Sequence, residues 1–173
     1  MNIGTLTANV GEKTSGFLRV EGCGYELPVT IVRGGEGPVV LITAGVHSAE
    51  YVGIQAAIEL AEELMPADVR GTVVIAPLIN VSGFTRRTMS MVYEDQKNLN
   101  REFPGAVGGT TAQQICHTVA TELIQKADYY IDLHSGDGYE VLHTYAYYVG
   151  PVKKEVRERA FQMARRVKAG CLV

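Results

Sequence analysis

The chain has 173 residues, a hydrophobic share of 46%, a charged share of 20% and a net charge of −3. These values describe one folded domain with a substantial core and exclude a disordered chain. They also argue against nucleic acid or an acidic membrane as partner, because either would favour a strongly positive surface. Three cysteines, Cys23, Cys116 and Cys171, form no CxxC pair and read as buried free thiols of a reducing compartment. The opening "MNIGTLTANVGEKTSG" has neither a basic nor an apolar leader segment. No apolar run approaches the roughly 18 residues of a membrane span. A cytoplasmic protein is expected.

In chain order, "GFLRVEG" and "YELPVTIVRG" predict two antiparallel strands joined through Cys23 and Gly24. "GPVVLITAG" is a continuous apolar, β-branched run, the pattern of a strand covered on both faces. "YVGIQAAIELAEELM" places Val52, Ile54, Ala57, Ile58, Ala61 and Leu64 near helical spacing. "GTVVIAPLIN" predicts a second buried strand. Residues 80 to 111 read as a long mixed segment rich in glycine. "TAQQICHTVATELIQKA" predicts a helix, with Thr110 or Thr111 as its cap. "DYYIDLHSG" predicts a third buried strand and "TYAYYVG" a fourth. "VKKEVRERAFQMARRVKAG" predicts an amphipathic helix ending at Gly170, and "CLV" opens another strand. Strands alternating with helices imply an α/β fold, a mainly parallel or mixed central sheet with helices on both faces. Residues 1–173 are read as one domain.

In such sheets ligands bind beyond the carboxyl ends of the strands. The first fully apolar strand ends at "TAGVHSAEYVG", which delivers His47 and Glu50. The third ends at "DLHSG", which delivers His134. Catalytic zinc takes three protein ligands from imidazoles and carboxylates and leaves a position for water. His47 and Glu50, three positions apart at a helix start, can face one ion, and His134 would complete the set. Asp132, on the same side of its strand as His134, could accept a hydrogen bond from a ligand imidazole. The His47–Glu50 pair alone also fits an exposed helix-start glutamate beside a structural histidine. The stretch "TRRTMSMVYEDQKNLNREFPG" gathers Arg86, Arg87, Asn98, Asn100 and Arg101, groups suited to binding a carboxylate or a developing oxyanion. A solvated polar loop is the plain alternative.

His47-x-x-Glu50, Asn100-Arg101 before "EFPG", and "DLHSG" at 132–136 stand in the order seen in zinc carboxypeptidase-like hydrolases. "KNLNREFPG" more narrowly resembles the succinylglutamate desuccinylase/aspartoacylase family. The resemblance implies a zinc carboxypeptidase-like fold with His47, Glu50 and His134 as zinc ligands. It implies Asn100 and Arg101 as binders of the substrate carboxylate. Arg87 falls where the family polarises the scissile carbonyl, with Arg86 beside it leaving the choice open. Two positions depart from the family pattern, Gln96 where glycine is expected and Tyr93 where proline is common. The implied activity is hydrolysis of an N-acyl amino acid or related small amide. A metallocarboxypeptidase acting on peptides and a catalytically incomplete metal-binding module are the alternatives. The ligand set would also accept cobalt or manganese. The family's general-base glutamate lies well downstream of the second zinc histidine, so it is expected beyond residue 173, with this chain the front part of a longer one. The open sheet edge left by such a cut is expected to promote self-association into a homo-oligomer.

Overall fold

The computed structural model describes residues 1–148 and 150–173, which pack as two units, Met1–Tyr139 and Glu140–Val173. The first unit opens with a two-residue hairpin, β1 (Asn2–Ile3) and β2 (Leu6–Thr7). A five-stranded mixed sheet follows. It is built from β3 (Glu12–Arg19), β4 (Glu26–Arg33), β5 (Val39–Ala44), β6 (Thr72–Ala76) and β7 (Tyr129–Leu133) in the order β3-β4-β6-β5-β7. The β3/β4 and β4/β6 pairs are antiparallel, whereas β5 pairs parallel with both β6 and β7. Pro28 is tolerated in β4 because the pairing with β6 covers only Thr30–Arg33.

Both faces of the sheet carry apolar side chains, and a helix covers each. On one face Leu27, Val29, Ile31, Leu41, Val74 and Ala76 form a core with Ala112, Ile115, Cys116, Val119 and Leu123. The last five belong to a helical segment that starts as α3 (Thr111–Thr118), widens into a π-type turn over Val119–Leu123 and tightens over Ile124–Lys126. On the other face Ala44 and Ile75 pack against Ile54 and Ala57 of the helix Tyr51–Glu63, here α1. The switch from Val74 to Ile75 to Ala76 between the two cores is the alternation of a strand buried on both sides.

Five expectations need correction. The strand at 129–133 is not buried. It pairs with β5 alone among the described residues, so Tyr130 and Ile131 are more than a third exposed. Its apolar letters mark a sheet rim, not a covered strand. The stretch 80–111 is not one long loop, because it holds the short helix α2 (Val81–Arg86) and a 3₁₀ turn, Leu99–Arg101. Such short elements carry too few residues to show a period. "TYAYYVG" contributes only β8 (Tyr145–Ala146), which lies in the second unit and pairs parallel with β9 (Cys171–Leu172) across α4 (Lys154–Ala164). Residue 149 of that stretch is outside the described residues. The last helix stops at Ala164 rather than near Gly170. All three cysteines are free, but only Cys116 is buried; Cys23 is half-buried and Cys171 exposed. No helix is long and apolar enough to cross a membrane among the described residues.

Gly53 fixes how closely α1 approaches β7. A Cβ there would lie 2.9 Å from the carbonyl oxygen of Leu133, the residue before His134. Gly53→Ala is therefore expected to destabilise by about 1–3 kcal/mol through overpacking. Thermal denaturation checks this: a fall in Tm of several degrees is expected, and an unchanged Tm would show that the helix moves freely.

Candidate metal centre

Parallel pairing of β5 with β7 brings Ala44 opposite Leu133, so the two strands end side by side. The chain leaving β5 turns back at once, and Glu50 occupies the position that begins α1. His47 Nδ1 lies 2.8 Å from Glu50 Oε1, and His134 Nδ1 lies 2.8 Å from Glu50 Oε2. The two imidazole rings meet edge to face with centroids 5.1 Å apart. One donor atom from each of His47, Glu50 and His134 lies within 4.8 Å of the other two. The structure thus gathers the three residues singled out from the sequence, with the Glu50 side chain 8% exposed between the rings.

The outer hydrogen bonds decide where the protons sit. The backbone N–H of Asn100 can only donate, and it points at Asn98 Oδ1 over 2.9 Å. That oxygen also faces His47 Nε2 at 3.2 Å, so His47 carries its proton on Nε2 and donates it to Asn98. His134 Nε2 donates to Asp132 Oδ2 at 2.8 Å. The Thr43 hydroxyl gives its one proton to Asp132 Oδ1 at 2.6 Å, so the Tyr130 hydroxyl, 3.0 Å away, must donate to Thr43. Glu50 Oε2 further accepts the Ser135 N–H at 3.0 Å. With both Nε2 atoms protonated, each Nδ1 facing the carboxylate must either bear a second proton or give its lone pair to a cation.

Electrostatics agree with that alternative. Hydrogen bonds to Asp132 and then to Glu50 raise the His134 pKa to about 10 against the opposing effect of burial. The hydrogen bond to Glu50 raises His47 as well, again opposed by burial. Burial pushes Glu50 up, but hydrogen bonds from His134, His47 and the Ser135 amide outweigh it and hold the carboxyl at about 2. Two protons thus supply the positive charge that one divalent cation would bring to the same place. Two imidazole nitrogens with fixed tautomers and one carboxylate suit zinc. The residues fit the ion.

The arginine-rich segment reaches this centre through its backbone and one side chain. Asn80 caps α2 by accepting the Gly83 N–H, and Arg87 ends the helix in the left-handed region at φ 60°. Arg87 Nη1 donates to the hydroxyl of Tyr51, the residue after Glu50, at 3.2 Å, and its guanidinium lies over the Phe84 ring. Arg86 lies over the Tyr93 ring instead. The Ser48 N–H donates to the Met89 carbonyl at 2.9 Å, and the Ser48 hydroxyl donates to the same oxygen, pinning the His47 turn to this segment. Asn100 and Arg101 lie exposed on the 3₁₀ turn, with Arg101 Nη1 donating to the Asn100 carbonyl at 3.0 Å. Their side chains thus stand apart from the hydrogen bonds around Glu50, whereas Asn98 joins that set. The two departures from the family pattern acquire a physical setting. Gln96 adopts φ 54°, a conformation that favours glycine. Tyr93 uses the N–H that proline lacks to donate to Ser82 Oγ at 3.1 Å.

Sequence reasoning left Asn98, Thr43, Tyr130 and the Ser135 amide without roles at the centre. Asn98 carried a usable signal: it stands two residues before Asn100, the spacing of a side-chain cap on a short turn. The Thr43–Asp132 contact depends on the strand register, which no local pattern reveals.

Residues 36–173 match the family model described as the succinylglutamate desuccinylase/aspartoacylase catalytic domain. The chain belongs to that family. Over 112 residues it is 43% identical to the N-alpha-acetyl-L-2,4-diaminobutyric acid deacetylase of Halomonas elongata, an alignment covering 64% of this chain and 32% of that protein. Among solved structures, an aspartoacylase family protein from Mesorhizobium loti superposes with a TM-score of 0.84 at 27% identity, covering 97% of this chain and 55% of the other. A protein from Shewanella denitrificans assigned as a carboxypeptidase A superposes with a TM-score of 0.58 at 16% identity, covering 83% of this chain and 40% of the other. That likeness shows the carboxypeptidase-like fold. The chain spans between a third and about half of the length of these proteins.

Two outcomes follow for the centre. In metal-free protein the raised histidines contribute stability that is complete below their ordinary value of 6.5 and is lost as pH rises through the folded value, about 10 for His134. Glu50 acts oppositely, contributing above 4.5 and losing its contribution as pH falls through about 2. Melting curves of metal-free protein should therefore decline from pH 6.5 towards 10, and a flat profile would contradict the double protonation. Separately, Gln96→Gly should raise stability by about 1 kcal/mol, since a left-handed non-glycine residue costs about 1–2 kcal/mol and glycine returns part of that as chain entropy. Chemical denaturation at neutral pH measures it; a loss would mean that the bond from Gln96 Nε2 to the Tyr93 carbonyl outweighs the backbone cost.

Proposed function

We propose that this chain carries the metal-binding part of a zinc-dependent hydrolase that cleaves the amide bond of an N-acyl amino acid or a related small amide. The observation that carries the reading is the convergence of two Nδ1 atoms, with their tautomers fixed from behind, on one buried carboxylate. The family, and a relative named as a deacetylase of an acetylated amino acid, support this substrate class. The family match crosses both packed units, which supports reading residues 1–173 as parts of one catalytic domain. Free cysteines suit a cytoplasmic setting.

When bound, zinc supplies an acidified water and polarises the scissile carbonyl. His47, Glu50 and His134 hold it, while Asn98 and Asp132 keep the imidazole protons on Nε2, away from the ion. Arg87, braced by Tyr51 and Phe84, donates to the carbonyl oxygen as it gains negative charge. Asn100 and Arg101 take the substrate carboxylate, the guanidinium in a two-pronged contact and the amide beside it. Glu50 and Asp132 are both fully engaged within the centre, each carboxylate being held at both oxygens. We infer that the general base and acid is supplied from outside residues 1–173.

Elemental analysis of metal-loaded protein should find one zinc per chain. His134→Ala should weaken zinc binding by more than the roughly 10–100-fold that loss of an outer partner costs. The enzyme containing this chain should hydrolyse N-acetyl or N-succinyl amino acids faster than short peptides. Absence of zinc would refute the centre. Preferred peptide turnover would refute the substrate class, and efficient hydrolysis by residues 1–173 alone would refute the external base.

A further inference from the structure

The Asn98 side-chain oxygen occupies an unusual position between two sites that the sequence treats separately. It receives the His47 Nε2 proton at 3.2 Å and the Asn100 backbone N–H at 2.9 Å. A carbonyl oxygen offers two lone pairs, and both are in use here. One bond ends on a candidate metal ligand. The other ends on the first residue of the Asn100–Arg101 pair.

The rest of the turn is anchored, so a displacement at this oxygen has few ways to dissipate. Asn98 bridges to Met91, and the neighbouring Val92 N–H donates to the Lys97 carbonyl at 2.9 Å. Leu99 is fully buried, and its carbonyl accepts from Cys116 Sγ at 3.4 Å. The turn itself is closed by the Arg101 N–H donating to the Asn98 carbonyl at 2.9 Å. On the metal side, the Ser48–Met89 bonds tie the residue after His47 to the same segment. The atoms free to respond when the His47 ring settles on an ion are therefore the Asn98 amide and the Asn100 N–H that it accepts.

We propose that Asn98 is a positioning residue that couples the metal centre to the carboxylate clamp, so that occupation of one orders the other. The inference rests on the zinc reading given above and goes beyond it. Coupling of this kind is reciprocal: if the metal favours the ordered clamp, a carboxylate held by the clamp favours the metal by the same factor, typically about 5–150-fold. A ring held by a neutral amide, as His47 is, differs in this from His134, whose partner Asp132 is tied back to Thr43 and Tyr130 inside the sheet. Only the His47 side leads to the clamp.

The test uses the whole chain, zinc alone as probe, and two substitutions. Asn98→Ala removes both acceptor contacts, and Asn98→Asp keeps an acceptor oxygen at the same place. Zinc affinity and residue-resolved amide hydrogen exchange are measured for each. Zinc should slow exchange at Asn100 in the unsubstituted protein. In Asn98→Ala zinc binding should weaken about 10–100-fold, and the zinc-dependent slowing at Asn100 should vanish. Asn98→Asp should restore both. A merely structural role would speed Asn100 exchange with and without zinc and leave the zinc-dependent difference in place. Zinc binding by Asn98→Ala at unaltered affinity, or zinc-dependent slowing that survives in it, would overturn the coupling and leave the metal centre standing. An unsubstituted chain that takes up no zinc would overturn both.

Discussion

The structure around the centre depends on a buried carboxylate held between two imidazoles that come from different strand ends. Glu50 is nearly inaccessible, and a buried negative charge without partners is expensive. Its two oxygens meet two Nδ1 atoms and one backbone N–H, which is why its carboxyl stays ionised despite burial. Everything that places those donors is therefore under constraint: the parallel β5/β7 register, the immediate turn after Ala44, and the close approach of α1 to Leu133 at Gly53. The sheet need not be large for this. Two adjacent parallel strands and one helix start suffice.

That constraint explains how much could be read in advance. β5, β6 and α1 are long enough for apolar runs and helical spacing to define them, and the junction of β5 with α1 locates His47 and Glu50 directly, as the end of β7 locates His134. β7 was legible as a strand but not as a rim strand, because "YYI" is apolar in either setting and exposure depends on which neighbours the sheet supplies. Residues 80–111 hid their order for another reason. Their shape comes from side-chain hydrogen bonds such as Asn80 to Gly83, Ser82 to Glu94 and Asp95 to the Ala112 amide, which follow no period. The family resemblance named Arg87, Asn100 and Arg101 as candidates in this segment, where periodicity was silent. It also marked Gln96 as unusual before the positive φ gave that oddity a cause.

The choice between the two adjacent arginines shows where sequence stops and geometry begins. Arg86 and Arg87 have the same chemistry, and spacing alone cannot rank them. The helix ends between them. Arg86 is its last residue, while Arg87 takes the left-handed cap conformation, which redirects its side chain across Phe84 to Tyr51. A hydroxyl and an aromatic face hold a guanidinium without neutralising it, since neither carries a charge. The charge of Arg87 thus stays available to a ligand, whereas a carboxylate partner would have consumed it.

The two imidazoles, finally, are backed by different groups, and the difference matters to charge. His134 donates to a carboxylate and His47 to an amide. With a divalent cation and neutral rings, the charges of Glu50 and Asp132 would balance the ion, leaving the centre neutral overall. A third carboxylate, in place of Asn98, would make it negative, which favours holding the cation but reduces its pull on a bound water or carbonyl. Asn98 supplies the orienting acceptor without that added charge. The amide also retains a lone pair for the Asn100 N–H, so one neutral side chain orients a ring, keeps the centre from excess negative charge and supports the turn that presents Asn100 and Arg101.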